Sequence, residues 1–140
     1  MSLLQVIYAS RPFGYDDGTL RHILSVARTN NVRDGITGSL VCREDLFLQL
    51  LEGPAAEVEA AFARIARDDR HIDVDLLVRM PTNTRMFATW AMRHDPARSW
   101  MWTAEDVANG AVARATPADL SGVFARVSAE PAPVCVRALN

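Results

Sequence analysis

The stretch that decides the fold is Leu46-Phe47-Leu48-Gln49-Leu50-Leu51. As a strand it would be apolar on both alternating faces, which is typical of a central strand covered on both sides of a sheet. Two amphipathic helices, one before this strand and one after it within the first 70 residues, can cover one face. The sequence therefore predicts that the residues after about position 96 cover the other face.

The elements around this strand follow a recognisable order. Strands are predicted at Leu3–Ser10, Ile36–Arg43, Leu46–Glu52, Val74–Met80 and Thr89–His94. Apolar residues at helical spacing predict one helix from Asp16 or Asp17 to about Asn30, and a second from Pro54 to the charged run at 67–71. The order β-α-β-β-α-β plus a fifth strand predicts an α+β, ferredoxin-like fold.

The last third of the chain is predicted to be a helical cap on the opposite face of the sheet. Its helices are expected at Thr103–Ala113 and Pro117–Ser128. We expect residues 1–95 and 96–140 to form one globular unit, in which Trp100 and Trp102 pack the cap onto the sheet rather than contact a partner.

Composition narrows the class of protein. The chain has 140 residues, of which 49% are hydrophobic, and 15 basic against 17 acidic residues leave a net charge of −2. This balance lacks the positive charge of a nucleic-acid binder. Residues 3–10 are too short and too polar for the core of a signal peptide, and no run approaches the roughly 20 apolar residues of a spanning helix. Cys42 and Cys135 are far apart, which favours free thiols, so we expect a cytoplasmic protein without membrane or nucleic-acid partners.

Two polar side chains stand in strands that are otherwise apolar. Gln49 is flanked by leucines and phenylalanine, and Tyr8 lies in the first strand. A buried polar group left without a hydrogen bond costs about 1–3 kcal/mol, so both side chains must have partners. Either they satisfy each other or the backbone, or both face a polar heterocycle held between the helices and the sheet. Asn30 and Asn31 similarly either cap a helix or line such a pocket.

Other polar and aromatic residues are ambiguous as well. Arg64, Arg67, Arg70 and His71 surround the end of the second helix, where they either interact with its dipole or bind phosphate groups. Trp90 and Met92 are predicted to share one face of the fifth strand as core residues. His22 and His94 are expected at exposed or sheet-edge positions. No metal-binding or catalytic motif is present.

Several short motifs recur together and in order. They are Tyr8-Ala9-Ser10, Ala27-Arg28-Thr29-Asn30-Asn31, Gly35-Ile36-Thr37-Gly38, Phe47-Leu48-Gln49-Leu50-Leu51-Glu52-Gly53, Asp68-Asp69-Arg70-His71 and Arg85-Met86-Phe87-Ala88-Thr89-Trp90-Ala91-Met92. In this set, the sequence resembles the BLUF domain, a flavin-based blue-light sensor, from residue 3 to about residue 95.

The resemblance implies that FAD binds non-covalently between the two helices and the sheet. It assigns the photoactive pair to Tyr8 and Gln49. It assigns flavin contacts to this pair and to the following residues: Asn30, Asn31, Arg64, Asp68, Arg70 and His71. Light would drive electron and proton transfer from Tyr8, after which Gln49 rotates or tautomerises. Trp90 and Met92 would report the flavin state to the surface.

The resemblance also implies a sensor without enzyme activity, which signals through the cap to a separate effector protein, with homodimer formation left open. A different interpretation is a ferredoxin-like regulatory domain that binds another small ligand. A small enzyme of acylphosphatase type is disfavoured, because Arg11-Pro12-Phe13-Gly14 stands where a glycine-rich anion loop is needed.

Overall fold

A computed structural model describes residues 3–12, 17–68 and 71–131 of the protein. Asp16, Arg70, Cys135 and the Phe13-Gly14 pair, which entered the predictions above, lie outside the described residues. The strands are β1 (Leu3–Pro12), β2 (Thr37–Arg43), β3 (Leu46–Pro54), β4 (His71–Thr82) and β5 (Arg93–Pro96). The helices are α1 (Asp17–Asp34), α2 (Ala55–Ala66), α3 (Ala104–Ala108), α4 (Ala111–Arg114) and α5 (Pro117–Ala129).

The strand β3 occupies the centre of a five-stranded sheet with the order β4-β1-β3-β2-β5. Every residue of β3 except Pro54 is buried, as its two-sided apolar pattern predicts. It pairs antiparallel with β1 and with β2, whereas β5 is added to β2 in parallel. The ferredoxin-like α+β fold with a fifth strand is thus confirmed.

Each face of the sheet carries its own layer. One apolar cluster joins the sheet to α1 and α2, through buried residues that include Leu20, Leu24, Val58 and Ala61. The other joins it to the C-terminal helices, through buried residues that include Val112, Leu120, Phe124 and Val127. Trp100 and Trp102 pack against this second cluster. The predicted cap therefore covers the face that α1 and α2 leave open.

The helix α1 continues one turn beyond its predicted end near Asn30. Gly35 adopts a positive φ of 70°, and the Ile36 N–H donates to the Asn31 carbonyl at 2.9 Å. This is the Schellman ending of a helix, in which glycine supplies the left-handed residue. Asn30 and Asn31 therefore lie inside the helix, and capping does not explain them.

Two predictions in the second half of the chain are wrong. Gly110, with a φ of 82°, separates α3 from α4, so residues 103–113 are not one helix. β5 begins at Arg93 rather than at Thr89, because residues 88–92 form a turn and bends instead of extended backbone. Trp90 therefore packs with the cap-side cluster while Met92 packs with the α1–α2 side, and they do not share a face.

In the described ranges, no helix combines the length and apolar character that crossing a bilayer requires. The same ranges contain no group of three His, Cys, Asp or Glu side chains arranged to hold a metal ion.

The cap should contribute strongly to stability through Phe124. Its side chain is fully buried, and its ring meets the Phe87 ring edge-on at 6.3 Å. We expect Phe124→Ala to lower the free energy of unfolding by about 3–5 kcal/mol, because it removes apolar contacts and leaves a cavity. Urea unfolding measures the loss. Phe124→Leu, the control that keeps most of the volume, should cost clearly less; equal losses would contradict the packing described here.

Candidate functional site

A cavity of about 220 Å³ lies between α1, α2 and the sheet. Its lining residues are Ile23, Val26, Ala27, Asn30, Asn31, Gln49, Leu51, Ala61, Arg64, Ile65, Asp68 and His71. The α1 residues at 23, 26, 27 and 30 are three or four positions apart, which places them on one face of the helix. The walls are largely apolar. The polar groups come from the second half of α1, from β3, from the end of α2 with the residue Asp68 that follows it, and from His71 at the start of β4.

Gln49 connects the cavity to two other buried side chains. Tyr8 and Gln49 are directly opposite each other on the neighbouring strands β1 and β3, and the Tyr8 hydroxyl donates to Gln49 Oε1. Gln49 Nε2 donates to the Met92 sulfur at 3.2 Å. Tyr8 and Gln49 thus bind each other, which is the first interpretation offered by the sequence. Gln49 also lines the cavity, as the second interpretation, a pocket for a polar heterocycle, requires. Tyr8 itself is not part of the lining and lies behind Gln49.

The electrostatic surroundings keep Tyr8 neutral. Its side chain is completely buried, and burial raises the pKa of the phenol well above its usual value. The carboxylate of Asp68 raises that pKa further. Tyr8 therefore holds its proton at any ordinary pH, and the proton lies on the side of Gln49 Oε1.

The side chain of Asn31 is buried, and Asn31 lines the cavity. Its Nδ2 donates to the Ala91 carbonyl at 2.6 Å, and its amide oxygen is a hydrogen-bond acceptor. Asn30 lies one position earlier on the same helix and also lines the cavity. Both asparagines are thus at the pocket, as the second interpretation of their sequence position predicts.

The cationic cluster predicted at the end of α2 is only partly at the cavity. Arg64 lines it and forms an ion pair with Asp34 at 3.6 Å. Arg67 is exposed at the C-terminal end of α2 and does not line it. His71 is buried, with its Nδ1 3.0 Å from the Ser10 hydroxyl, so it belongs to the wall rather than to an exposed rim.

Trp90, on the opposite side of the sheet, has no place in the cavity. Its ring lies 5.8 Å from the guanidinium carbon of Arg93, within the range of a cation–π contact. Arg93 in turn binds both carboxylate oxygens of Asp95, at 2.8 and 3.2 Å, and donates to the Glu130 carbonyl at 2.8 Å. Trp90 is therefore linked to the end of α5, and Met92 is linked to Gln49.

The sequence analysis missed Glu52. Its carboxylate is completely buried and accepts from the N–H groups of Met86 and Phe87, both at 2.7 Å, and from the Thr37 hydroxyl at 2.9 Å. These bonds fix the turn that leads to Trp90. The sequence did contain a signal for this role, a lone carboxylate at the end of an apolar strand. Such a carboxylate can be buried only if hydrogen-bond donors surround it.

Comparison with known proteins gives one consistent result. The family model of BLUF, described as sensors of blue light using FAD, matches residues 3–93. The beta subunit of a photoactivated adenylate cyclase from Euglena gracilis is 34% identical over 92 residues, which are 65% of this chain and 10% of that protein. The chain spans about a tenth of the length of the curated relatives it matches.

Solved structures agree with this match. The dark-state structure of BlrB, a BLUF protein, is 26% identical, covers 91% of this chain and 96% of its own, and has a TM-score of 0.78. The photo-activated state of BlsA has a TM-score of 0.80 at 23% identity and covers 94% of this chain and 98% of its own, a likeness of fold alone.

His94 should make the stability of this region depend on pH. It lies in the edge strand β5, as expected, but its ring is buried, with Nε2 2.9 Å from the Cys42 sulfur. Burial lowers the pKa of His94; Asp95 opposes the shift and Arg28 adds to it. Because the folded protein then binds fewer protons than the unfolded chain, the free energy of unfolding should fall as the pH drops below about 6.5.

Urea unfolding at pH 7.5 and pH 5.5 measures this dependence. We expect His94→Gln to lose part of the decrease between the two pH values, whereas His22→Gln, at an exposed position of α1, should retain it. An unchanged decrease in His94→Gln would show that His94 does not titrate as a buried neutral ring.

Proposed function

The chain belongs to the BLUF family, and we propose that it binds FAD non-covalently and, on illumination, switches the hydrogen bonds between Tyr8, Gln49 and the flavin. The observation that carries this proposal is the amide of Gln49, which lines the cavity and at the same time binds Tyr8 and Met92. We also propose that the output is a signal to a separate protein.

The residues around the cavity suit a flavin. Apolar side chains of α1 and α2 can enclose a flat ring on both sides, and the amides of Asn31 and Gln49 supply donors and acceptors for its polar edge. Asn30 lies beside them, and Arg64 offers a guanidinium for phosphate. Asp68 and His71 complete the lining. Arg70 is proposed as a further flavin contact from the resemblance alone. When bound, a flavin absorbs blue light and accepts an electron and a proton.

The chain's own part in the reaction centres on the two ends of the Gln49 amide. Tyr8 holds a proton that it can release, and its oxygen can either donate or accept a hydrogen bond. The Met92 thioether can only accept. A half-turn of the amide would direct Nε2 at Tyr8 and Oε1 at the sulfur, so the Met92 hydrogen bond would be lost. Gln49 therefore has two inequivalent arrangements, which is what a switch requires.

Two contacts support an output route through Trp90 and Met92. Met92 contacts Gln49 directly, while Trp90 lies two residues earlier, on the cap side, over Arg93. Arg93 is buried and joins Asp95 of β5 to the end of α5. A movement of the 90–92 segment would thus disturb a buried ion pair beneath the cap. Because broken buried pairs are costly, such a disturbance has to be relieved by movement of the cap.

A partner protein, rather than a reaction catalysed here, is the proposed destination of the signal. The match to the BLUF family ends at residue 93, and the described residues that follow form β5 and three short cap helices. Apolar residues of these helices pack onto the sheet.

The absorption spectrum of the purified protein tests the proposal. We expect a bound flavin whose spectrum shifts to the red under blue light and recovers in the dark. A protein that cannot be loaded with FAD would overturn the proposal and favour a ferredoxin-like regulatory domain for another small ligand.

Removing either member of the buried pair should abolish the red shift. We expect Tyr8→Phe and Gln49→Leu to bind flavin but to show no red shift, since each lacks one group of the Tyr8–Gln49 hydrogen bond. Gln5→Leu is the matched control, because Gln5 is a buried glutamine of β1 on the other face of the sheet. A red shift that survives in Gln49→Leu would contradict the mechanism.

Arg93 should be needed for the output but not for the light reaction. Arg93→Lys keeps the charge but cannot bind Asp95, the Glu130 carbonyl and the Trp90 ring together. We expect an unchanged red shift and a loss of the light-dependent change in amide hydrogen exchange of α5. Arg126→Lys, whose guanidinium pairs with Glu130 at the surface, is the control. A full light-dependent change in Arg93→Lys would exclude this route.

A further inference from the structure

The segment that carries Trp90 and Met92 is held by three successive backbone carbonyls. The Gly38 N–H donates to the Trp90 carbonyl at 3.0 Å. Asn31 Nδ2 donates to the Ala91 carbonyl at 2.6 Å, and Arg28 Nε donates to the Met92 carbonyl at 3.1 Å. Two of these three donors are side chains of α1. The segment before β5 is thus attached to the helix that lines the cavity.

Arg28 and Asn31 are three positions apart, so their side chains leave α1 on the same face, one turn from each other. They bind adjacent carbonyls, which fixes both the position and the direction of the backbone at residues 91 and 92. Burial lowers the pKa of the Arg28 guanidinium, as expected for a cation partly withdrawn from water to reach this carbonyl.

The space available to Met92 is also restricted from β2. A Cβ added to Gly38 would lie 3.4 Å from the Met92 methyl carbon and 2.0 Å from the Leu50 carbonyl oxygen. With its backbone bound by Arg28 and its methyl group against Gly38, Met92 directs its sulfur at Gln49 Nε2. The thioether therefore has one defined position beside the amide.

We infer that Arg28 is a positioning residue of the light switch, which holds Met92 so that its sulfur favours one orientation of the Gln49 amide. This inference rests on the proposed function. Arg28 does not line the cavity, and it acts through the Met92 backbone rather than on a flavin.

The inference predicts the direction of a kinetic effect. In the orientation found here, the sulfur accepts a hydrogen bond from Nε2; in the turned orientation, it would face Oε1, and two acceptors repel each other. A firmly held sulfur therefore destabilises the turned state and hastens its return. If Arg28 no longer binds the Met92 carbonyl, Met92 can move away and the turned state should last longer.

The test is the dark recovery of the flavin-loaded protein after a blue flash. We expect Arg28→Met to load with flavin and to show the red shift, but to recover about fivefold more slowly, the change that the loss of one ordinary hydrogen bond produces. Arg28→Lys can still donate to the carbonyl and should recover close to the wild-type rate. Arg33→Met, which removes an exposed arginine of α1, is the matched control.

A double variant shows whether Arg28 acts through Met92. Met92→Leu lacks the sulfur and should itself recover slowly, and adding Arg28→Met should then change little. Wild-type recovery in Arg28→Met, or a full additional slowing in the double variant, would overturn the inference. A wild-type chain without any red shift would overturn the proposed function, and the inference with it.

A measurement in the dark covers the case in which Arg28→Met does not fold. The chain has 5 methionines, so methyl labelling gives few resonances, and Met92→Leu identifies the one from Met92. We expect that resonance to move in Arg28→Gln and to stay in place in Arg33→Met. An unmoved Met92 resonance in Arg28→Gln would also overturn the inference.

Discussion

The structure depends on one buried amide. Gln49 lies at the centre of the sheet, in a strand that is covered on both faces. A buried amide atom without a hydrogen-bond partner lowers stability, so the Gln49 amide needs partners. Tyr8 donates to the amide oxygen, and the amide nitrogen donates one hydrogen bond to the Met92 sulfur. The central strand thus carries both the core of the fold and the side chain that we propose changes state.

The two layers around the sheet have different roles. The layer of α1 and α2 provides the cavity, and the cap layer provides most of the apolar cover on the other face. The segment at residues 90–92 is shared between them, since Met92 belongs to the first layer and Trp90 to the second. Glu52 fixes the turn that precedes this segment, and Arg93 fixes the strand that follows it. On the proposed route, a change at Gln49 would reach the cap through very few side chains.

The fold could be predicted well from the sequence because the decisive patterns lie within single elements. One of them is a strand that is apolar on both faces. The apolar pattern of β3 required a layer on each face, and the helix predicted at Pro117–Ser128 corresponds to α5 of the cap. Prediction from the sequence failed at residues 88–92, where apolar alternation suggested a strand but the chain turns. The bonds that hold this segment come from Arg28, Asn31 and Gly38, which are distant in sequence, so no pattern within the segment could reveal its shape.

The site was predicted less completely for the same reason. Tyr8 and Gln49 stood out because polar groups in apolar strands need partners, and the resemblance to the BLUF family ordered the remaining residues. Glu52 and Arg28 acquire their roles only through contacts across elements. His71 was expected in the cationic cluster at the end of the second helix. It is buried in the cavity wall, because β4 begins at His71 and its ring lies against Ser10 of β1 and the ring of Phe47.

The central claim is that light turns or rearranges the Gln49 amide. The chain contains only two glutamines, Gln5 and Gln49, so side-chain ¹⁵N labelling of glutamine gives two amide groups to follow by NMR. Recorded in the dark and under blue light on the flavin-loaded protein, the Gln49 side-chain resonances should move and return with the same rate as the absorption shift, while those of Gln5 stay in place. A red-shifted flavin with both side-chain amides unmoved would contradict the account.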